Sequence, residues 1–218
     1  SRTRTHRDDM LRHTLLALTC ALLATATFAQ STRAIDGCNI RRGTFCVNMS
    51  LQGAMLDGEN LANSQFTRSS LAGASMVGTD LSEANLSRAT LTGADLTDAL
   101  LSRANLTGAN LTDATLAGAR ATAVIMRNAN LTGADLSEAV LTNADLTNAR
   151  LGRAKLDGAE MQRANLRSAD LRGASLRGAN LRGADFNGAN LSDADLTDAD
   201  LDQANFTRTQ TLGCIGCP

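Results

Sequence analysis

With 21 basic and 22 acidic side chains among its 218 residues, the chain is close to neutral, which gives no ground for nucleic acid or an anionic membrane as its partner. It has no Trp and no Tyr, and both of its His, His6 and His13, lie near the start. General acid/base chemistry downstream would have to draw on carboxylates, Lys155 and thiols.

Residues 1–9 are a charged extension to which no role is assigned. Residues 11–29, LRHTLLALTCALLATATFA, are an apolar run behind Arg12 that closes on Thr27, Phe28 and Ala29. This is the pattern of a secretory signal peptide that starts at Met10 and is cut after Ala29. Its core is short for a membrane span, and Leu18 and Thr19 ahead of Cys20 do not match the small residues that precede a lipid-modified cysteine. Removal of residues 1–29 takes away both His and leaves 17 basic against 20 acidic residues, a net charge of about −3. The expected location is periplasmic or secreted, with no integral membrane span after cleavage.

Residues 30–50 read as an N-terminal cap. From Leu51 to Phe206, leucine or an apolar substitute then recurs every fifth residue without an insertion or deletion, as in LSEAN LSRAT LTGAD LTDAL LSRAN at 81–105. Five is not a helical period, because residues five apart lie about 140° out of line on a helix. The central Leu is in most units preceded two residues earlier by Ala, as in Ala84 and Leu86 or Ala174 and Leu176. A separation of two puts both side chains on one side of an extended backbone. The residue before Leu is mostly Asp or Asn, and the two after it are turn and surface types. Each unit is therefore one short extended side of a coil, with Ala and Leu inward.

This frame closely resembles the pentapeptide-repeat family, whose unit is A(D/N)LXX, over residues 51–208. The resemblance implies an all-β fold, a right-handed quadrilateral parallel β-helix with four units and 20 residues per coil, about eight coils long and capped at both ends. At a strand spacing of about 4.8 Å the rod is roughly 40 Å long. Phe66, Phe186 and Phe206 are separated by multiples of 20, so all three fall on one face. Residues 209–218 read as a C-terminal cap or tail. Four cysteines remain after the leader, Cys38 and Cys46 at one end and Cys214 and Cys217 at the other, and an exported chain with an even number of Cys reads as disulfide bonded. Bridged α-carbons lie within about 7 Å, so a rod of this length permits only the local pairs within one molecule.

With the interior filled, recognition falls to the outer faces. By the 20-residue stride, the second face collects Asp57, Asp95, Asp98, Asp135, Glu138, Asp157, Asp195 and Asp198 against Lys155 and Arg177. Pairs such as Asp95 with Asp98, or Asp135 with Glu138, suit a weakly held hard cation, although a solvated acidic face is the simpler reading and no cofactor or metal is called for. The fourth face gathers Arg68, Arg88, Arg127, Arg167 and Arg208, and Arg167, Arg172, Arg177 and Arg182 form a ring around one coil. Around 121–130 the frame is disturbed: Ala121 replaces the central Leu and Ile125 stands where Asp or Asn is usual. With Leu100 and Val140, Ile125 makes a candidate apolar patch for a partner or a homodimer.

Three function classes follow. The first, preferred here, is a non-catalytic exported scaffold that binds a protein or envelope component through its outer faces. The second is implied by the resemblance: some family members mimic a DNA duplex and bind DNA gyrase or topoisomerase, which calls for a cytosolic location and a strongly acidic surface. An enzyme is disfavoured, since there is no His after the leader, no cleft-forming insertion and no phosphate loop.

Overall fold

The computed structural model describes residues 33–218, so the expected signal peptide and the expected cleavage after Ala29 lie outside the described residues. From 41 to 215 the chain repeats one pentapeptide geometry: a residue with a single bridge, an inward residue, two turn residues and a second inward residue. Every bridge is parallel and joins residues 20 apart, from Phe45 with Gln65 to Asp195 with Ile215. Four units therefore make one coil, and the fold is a right-handed quadrilateral β-helix. The regular coil begins at 41, two units before Leu51, and its last bridge is at Ile215, within the segment read from sequence as a cap.

One unit accounts for all of its backbone donors. In the unit around Leu86, the Asn85 amide donates to Ala84's equivalent register partner one coil back, Ser64 O (2.8 Å), and the Leu86 amide donates to Asn105 O one coil ahead (2.7 Å). The Arg88 amide also reaches forward, to Thr107 O (2.9 Å), and the Ala89 amide closes the turn on Leu86 O (3.0 Å). The remaining amide, that of Ser87, is taken by the side chain of Asn85 (3.0 Å). This is the physical reason for Asp or Asn before the central Leu: its side-chain oxygen accepts the amide two residues on, which no carbonyl can reach. The third turn position has positive φ throughout, 58° at Arg88 and 62° at Gly93 for example, as a type II turn requires.

The interior is dry. The central Leu residues and the Ala two residues ahead of them are 0–1% exposed through the body of the rod, from Leu81 and Ala84 to Ala194 and Leu196. Burial of each leucine stabilises by about 1.5–3 kcal/mol, and each layer supplies the core of its neighbours. The stride places Phe186 directly under Phe206, with ring centroids 5.0 Å apart and planes within 15°. Where a hydroxyl replaces the inward Ala it bonds a carbonyl of the preceding coil, as Thr79 Oγ1 does with Leu56 O (2.6 Å) and Thr209 Oγ1 with Phe186 O (2.9 Å). Among the described residues no buried side-chain nitrogen or oxygen lacks a partner.

The two ends differ. At the N-terminal end β1 (Ala34–Ile35) pairs antiparallel with β2 (Cys38–Asn39). Asp36 and Gly37 between them both have positive φ, 48° and 83°, the two-residue turn that suits a hairpin's twist. The hairpin lays Cys38 and Ile40 onto the core, and a disulfide joins Cys38 to Cys46, itself buried at a central position. At the C-terminal end Cys214 is bonded to Cys217. There Leu201 and Phe206 are only half-buried, and the amides of Leu201, Phe206 and Thr211 make no backbone hydrogen bond.

Candidate functional site

The 20-residue coil stacks the acids of the second face in a row, and five of the eight, Asp57, Asp95, Asp135, Asp157 and Asp195, have side-chain oxygens engaged in hydrogen bonds. Asp95, Asp135 and Asp195 stand before central Leu residues, and each accepts the backbone amide and the hydroxyl of the residue two on, Thr97, Ser137 and Thr197. Asp57 and Asp157 do the same work from one coil back: where Ser75 and Ser175 take the Asp/Asn position, these carboxylates accept from the Ser hydroxyl and from the amides of Val77 and Arg177. Asp98, Glu138 and Asp198 sit at the positive-φ position of the turn, with φ of 56°, 59° and 61°. The Asp98 carboxylate leans over Gly118 on the next coil, in space that a Cβ at Gly118 would fill. Thus the suggested cation pairs do not form a ligand set, and among the described residues no group of three or more His, Cys, Asp or Glu is placed to hold a metal.

Both cations of that face are engaged as well, Lys155 with Asp135 (3.7 Å) and Arg177 with Asp195 (2.7 Å). The hydroxyl and amide of Thr197, followed by Arg177, hold the Asp195 carboxyl down to about 2. Asp135 is lowered too, because the bonds from Ser137 and the Lys155 charge outweigh a desolvation that acts the other way. The same balance of desolvation against Thr147 and Arg127 lowers Asp145.

The arginine ring is neutralised by acids in its own coil or the next. Arg167 meets Asp185 (2.9 Å), Arg172 meets Asp170 (2.7 Å), Arg177 meets Asp195, and Arg182 reaches Asp202 (2.6 Å) and Asp200 (3.6 Å). On the fourth face Arg127 pairs with Asp145 in the same manner, whereas Arg68, Arg88 and Arg208 are in none of the ion pairs among the described residues. Partners 18 to 20 residues apart are invisible to a scan for local charge pairs and follow at once from a 20-residue coil.

The apolar patch is divided. Leu100 and Val140 share a column, but Arg120 lies between them and bridges to both. Ile125, 38% exposed, stands on the next face with Asn105 and Asp145 as its in-register neighbours. The larger exposed apolar side chains are at the ends, Phe45 and Met55 at one and Leu212 and Ile215 at the other.

The family model described as Pentapeptide repeats matches eight copies, at residues 46–83, 99–137, 134–173 and 174–209. Among solved structures the chain is similar to HetL, a pentapeptide repeat protein involved in heterocyst differentiation regulation from the cyanobacterium Nostoc sp. strain PCC 7120. The two are 31% identical over 80% of this chain and 85% of HetL, with a TM-score of 0.61. It is also similar in fold to QnrB1, a plasmid-mediated fluoroquinolone resistance protein, at 22% identity over 78% of this chain and 88% of QnrB1, with a TM-score of 0.51. No curated protein sequence matches the chain.

Proposed function

The chain belongs to the pentapeptide-repeat family, and on that premise we propose that it is an exported, non-catalytic scaffold that binds a protein or envelope component through the outer faces of its rod. The observation that carries this reading is the engagement of the outward carboxylates. On the second face Asp57, Asp95, Asp135, Asp157 and Asp195 cap turns, and Asp135 and Asp195 also pair with a cation, so most of its carboxylates are committed to a rigid, patterned surface rather than to moving protons. Export is supported by the leader-like residues 11–29 and by two disulfides that close the two ends. No helix among the described residues is long and apolar enough to cross a membrane.

The fold shared with QnrB1 keeps one other reading in view, a topoisomerase-binding protein of the quinolone-protection kind. The near balance of charge, with the arginine ring at 167–182 matched to carboxylates, favours the scaffold. The test is the intact mass and cellular fraction of the expressed protein, with and without reductant. A chain that begins at Gln30, gains two protons per disulfide on reduction and lies outside the cytoplasm supports the scaffold reading. An uncleaved, reduced, cytosolic chain that protects gyrase from a quinolone overturns it.

A further inference from the structure

The turn after Leu151 departs from its neighbours at three positions at once. Position 150 carries Arg where the neighbouring coils carry Asn130 and Asp170. On those coils the side-chain oxygen accepts the amide two residues on: Asn130 takes that of Thr132 (3.2 Å) and Asp170 that of Arg172 (3.3 Å). Arginine has no acceptor to offer, and the Gly152 amide makes no hydrogen bond within the described residues.

The two residues that follow are inverted in kind. Where the adjoining coils read Thr132-Gly133 and Arg172-Gly173, this one reads Gly152-Arg153. Gly152 is the one glycine of the chain that does not have positive φ, so the turn does not need it for its backbone. A Cβ there would meet nothing nearer than Arg172 O at 3.8 Å. What glycine does at 152 is leave a bare floor. Arg153 takes up the positive φ instead (57°), a conformation that costs an ordinary residue about 1 kcal/mol or more.

The result is a cleft of about 610 Å³ lined by Thr132, Arg150, Gly152, Arg153, Asp170 and Arg172. Its carboxylate, Asp170, is held by both ends of the Arg172 guanidinium (2.8 and 2.7 Å). Arg150 and Arg153 are in none of the ion pairs among the described residues. Two guanidinium groups outside the ion pairs of the described residues, Arg150 acting on Asp170 only through its charge, thus line a cleft with a half-buried glycine whose amide lacks the side-chain oxygen that satisfies its equivalents on both adjoining coils.

We propose that this notch binds a tetrahedral oxyanion, a phosphate or sulfate group, one of whose oxygens replaces the missing side-chain acceptor on the Gly152 amide while others accept from Arg150 and Arg153. Guanidinium groups match such anions through paired N–H donors, and an amide at the floor fixes the position of the group. The site does not depend on the scaffold reading or on export, and its failure would leave both untouched.

The test is NMR on the full chain at constant ionic strength, following the Gly152 amide and the Nε–H groups of Arg150 and Arg153 during titration with inorganic phosphate, inorganic sulfate and glucose 6-phosphate. Saturable shifts of the three signals with one dissociation constant are expected. Arg150→Asn restores the acceptor used on the adjoining coils and removes a cation, so it should fold normally and weaken binding at least tenfold, as should Arg153→Gln; Arg88→Gln should change nothing. Tighter binding of glucose 6-phosphate than of phosphate would assign the group to an ester, and equal binding to the free ion. Unsaturable shifts spread over all arginines, or Arg150→Asn binding as the parent does, would overturn the proposal.

Discussion

Leu131→Asp tests the inward assignment at the middle of the rod. Leu131 is 0% exposed and stacks between Leu111 and Leu151, its equivalents one coil to either side. Truncation of such a residue to Ala costs about 2–5 kcal/mol in lost transfer and cavity energy. Aspartate adds an unpaired carboxyl in a dry core, which costs several kcal/mol more whether it stays charged or takes up a proton. The sum approaches the whole stability of an ordinary domain, about 5–15 kcal/mol. In a chain of this size each kcal/mol lowers the melting temperature by about 2–4 °C. Thermal melting followed by circular dichroism should therefore show a fall of at least about 10 °C or no cooperative transition. Leu201, half-buried in the last coil and covered on one side, is the internal control: Leu201→Ala should cost about half as much as Leu131→Ala. If Leu131→Asp melts within about 2 °C of the parent, the assignment of the central position to the core is wrong.

Acid should destabilise the rod in a defined window. Asp195 sits at about 2 against an ordinary 3.8, and Asp135, Asp145 and Asp170 are also lowered. The unfolded chain binds more protons between these values, so stability should be level above about pH 5, fall from about pH 4 and keep falling to about pH 2; denaturant midpoints that do not move over that range would contradict the pairing. At Gly118, whose φ is 66° and over which the Asp98 carboxylate lies, Ala should cost about 1–2 kcal/mol, partly recovered in the Asp98→Ala background. Strict additivity of the two in denaturation would show that the carboxylate does not fill that space. Reduction of Cys38–Cys46 removes a constraint worth about 2–3 kcal/mol and should raise hydrogen exchange in residues 34–49 before the middle coils respond, whereas uniform exchange along the rod would refute a local role for the bridge.

The core was legible because each inward position reads only the apolar character of one residue, and Leu86 or Ala84 carries that character in its own side chain. The stride of 20 was legible through the family resemblance and through Phe66, Phe186 and Phe206. The role of Asn85 as a turn cap has a local signal, the regular Asp or Asn two residues before a Ser or Thr, but the same residue types are also what a solvated outer position accepts, so residue type alone does not separate the two. The hairpin at 34–39 is likewise signalled locally by Asp36-Gly37 between Ile35 and Cys38, the two-residue turn that joins β1 to β2.

The sequence by itself determined which side chains are inside and where the cysteines lie, since these depend on residue type and spacing alone, and the family resemblance it carries implied 20 residues per coil. Only the tertiary structure decided which charges cancel and which remain. Arg167 meets Asp185, Arg120 divides Leu100 from Val140, and Arg150 and Arg153 line one cleft with Gly152 outside the ion pairs of the described residues, because coils 20 residues apart in the chain lie one strand spacing apart in space. Charge at a surface depends on that distance, which the linear order does not contain.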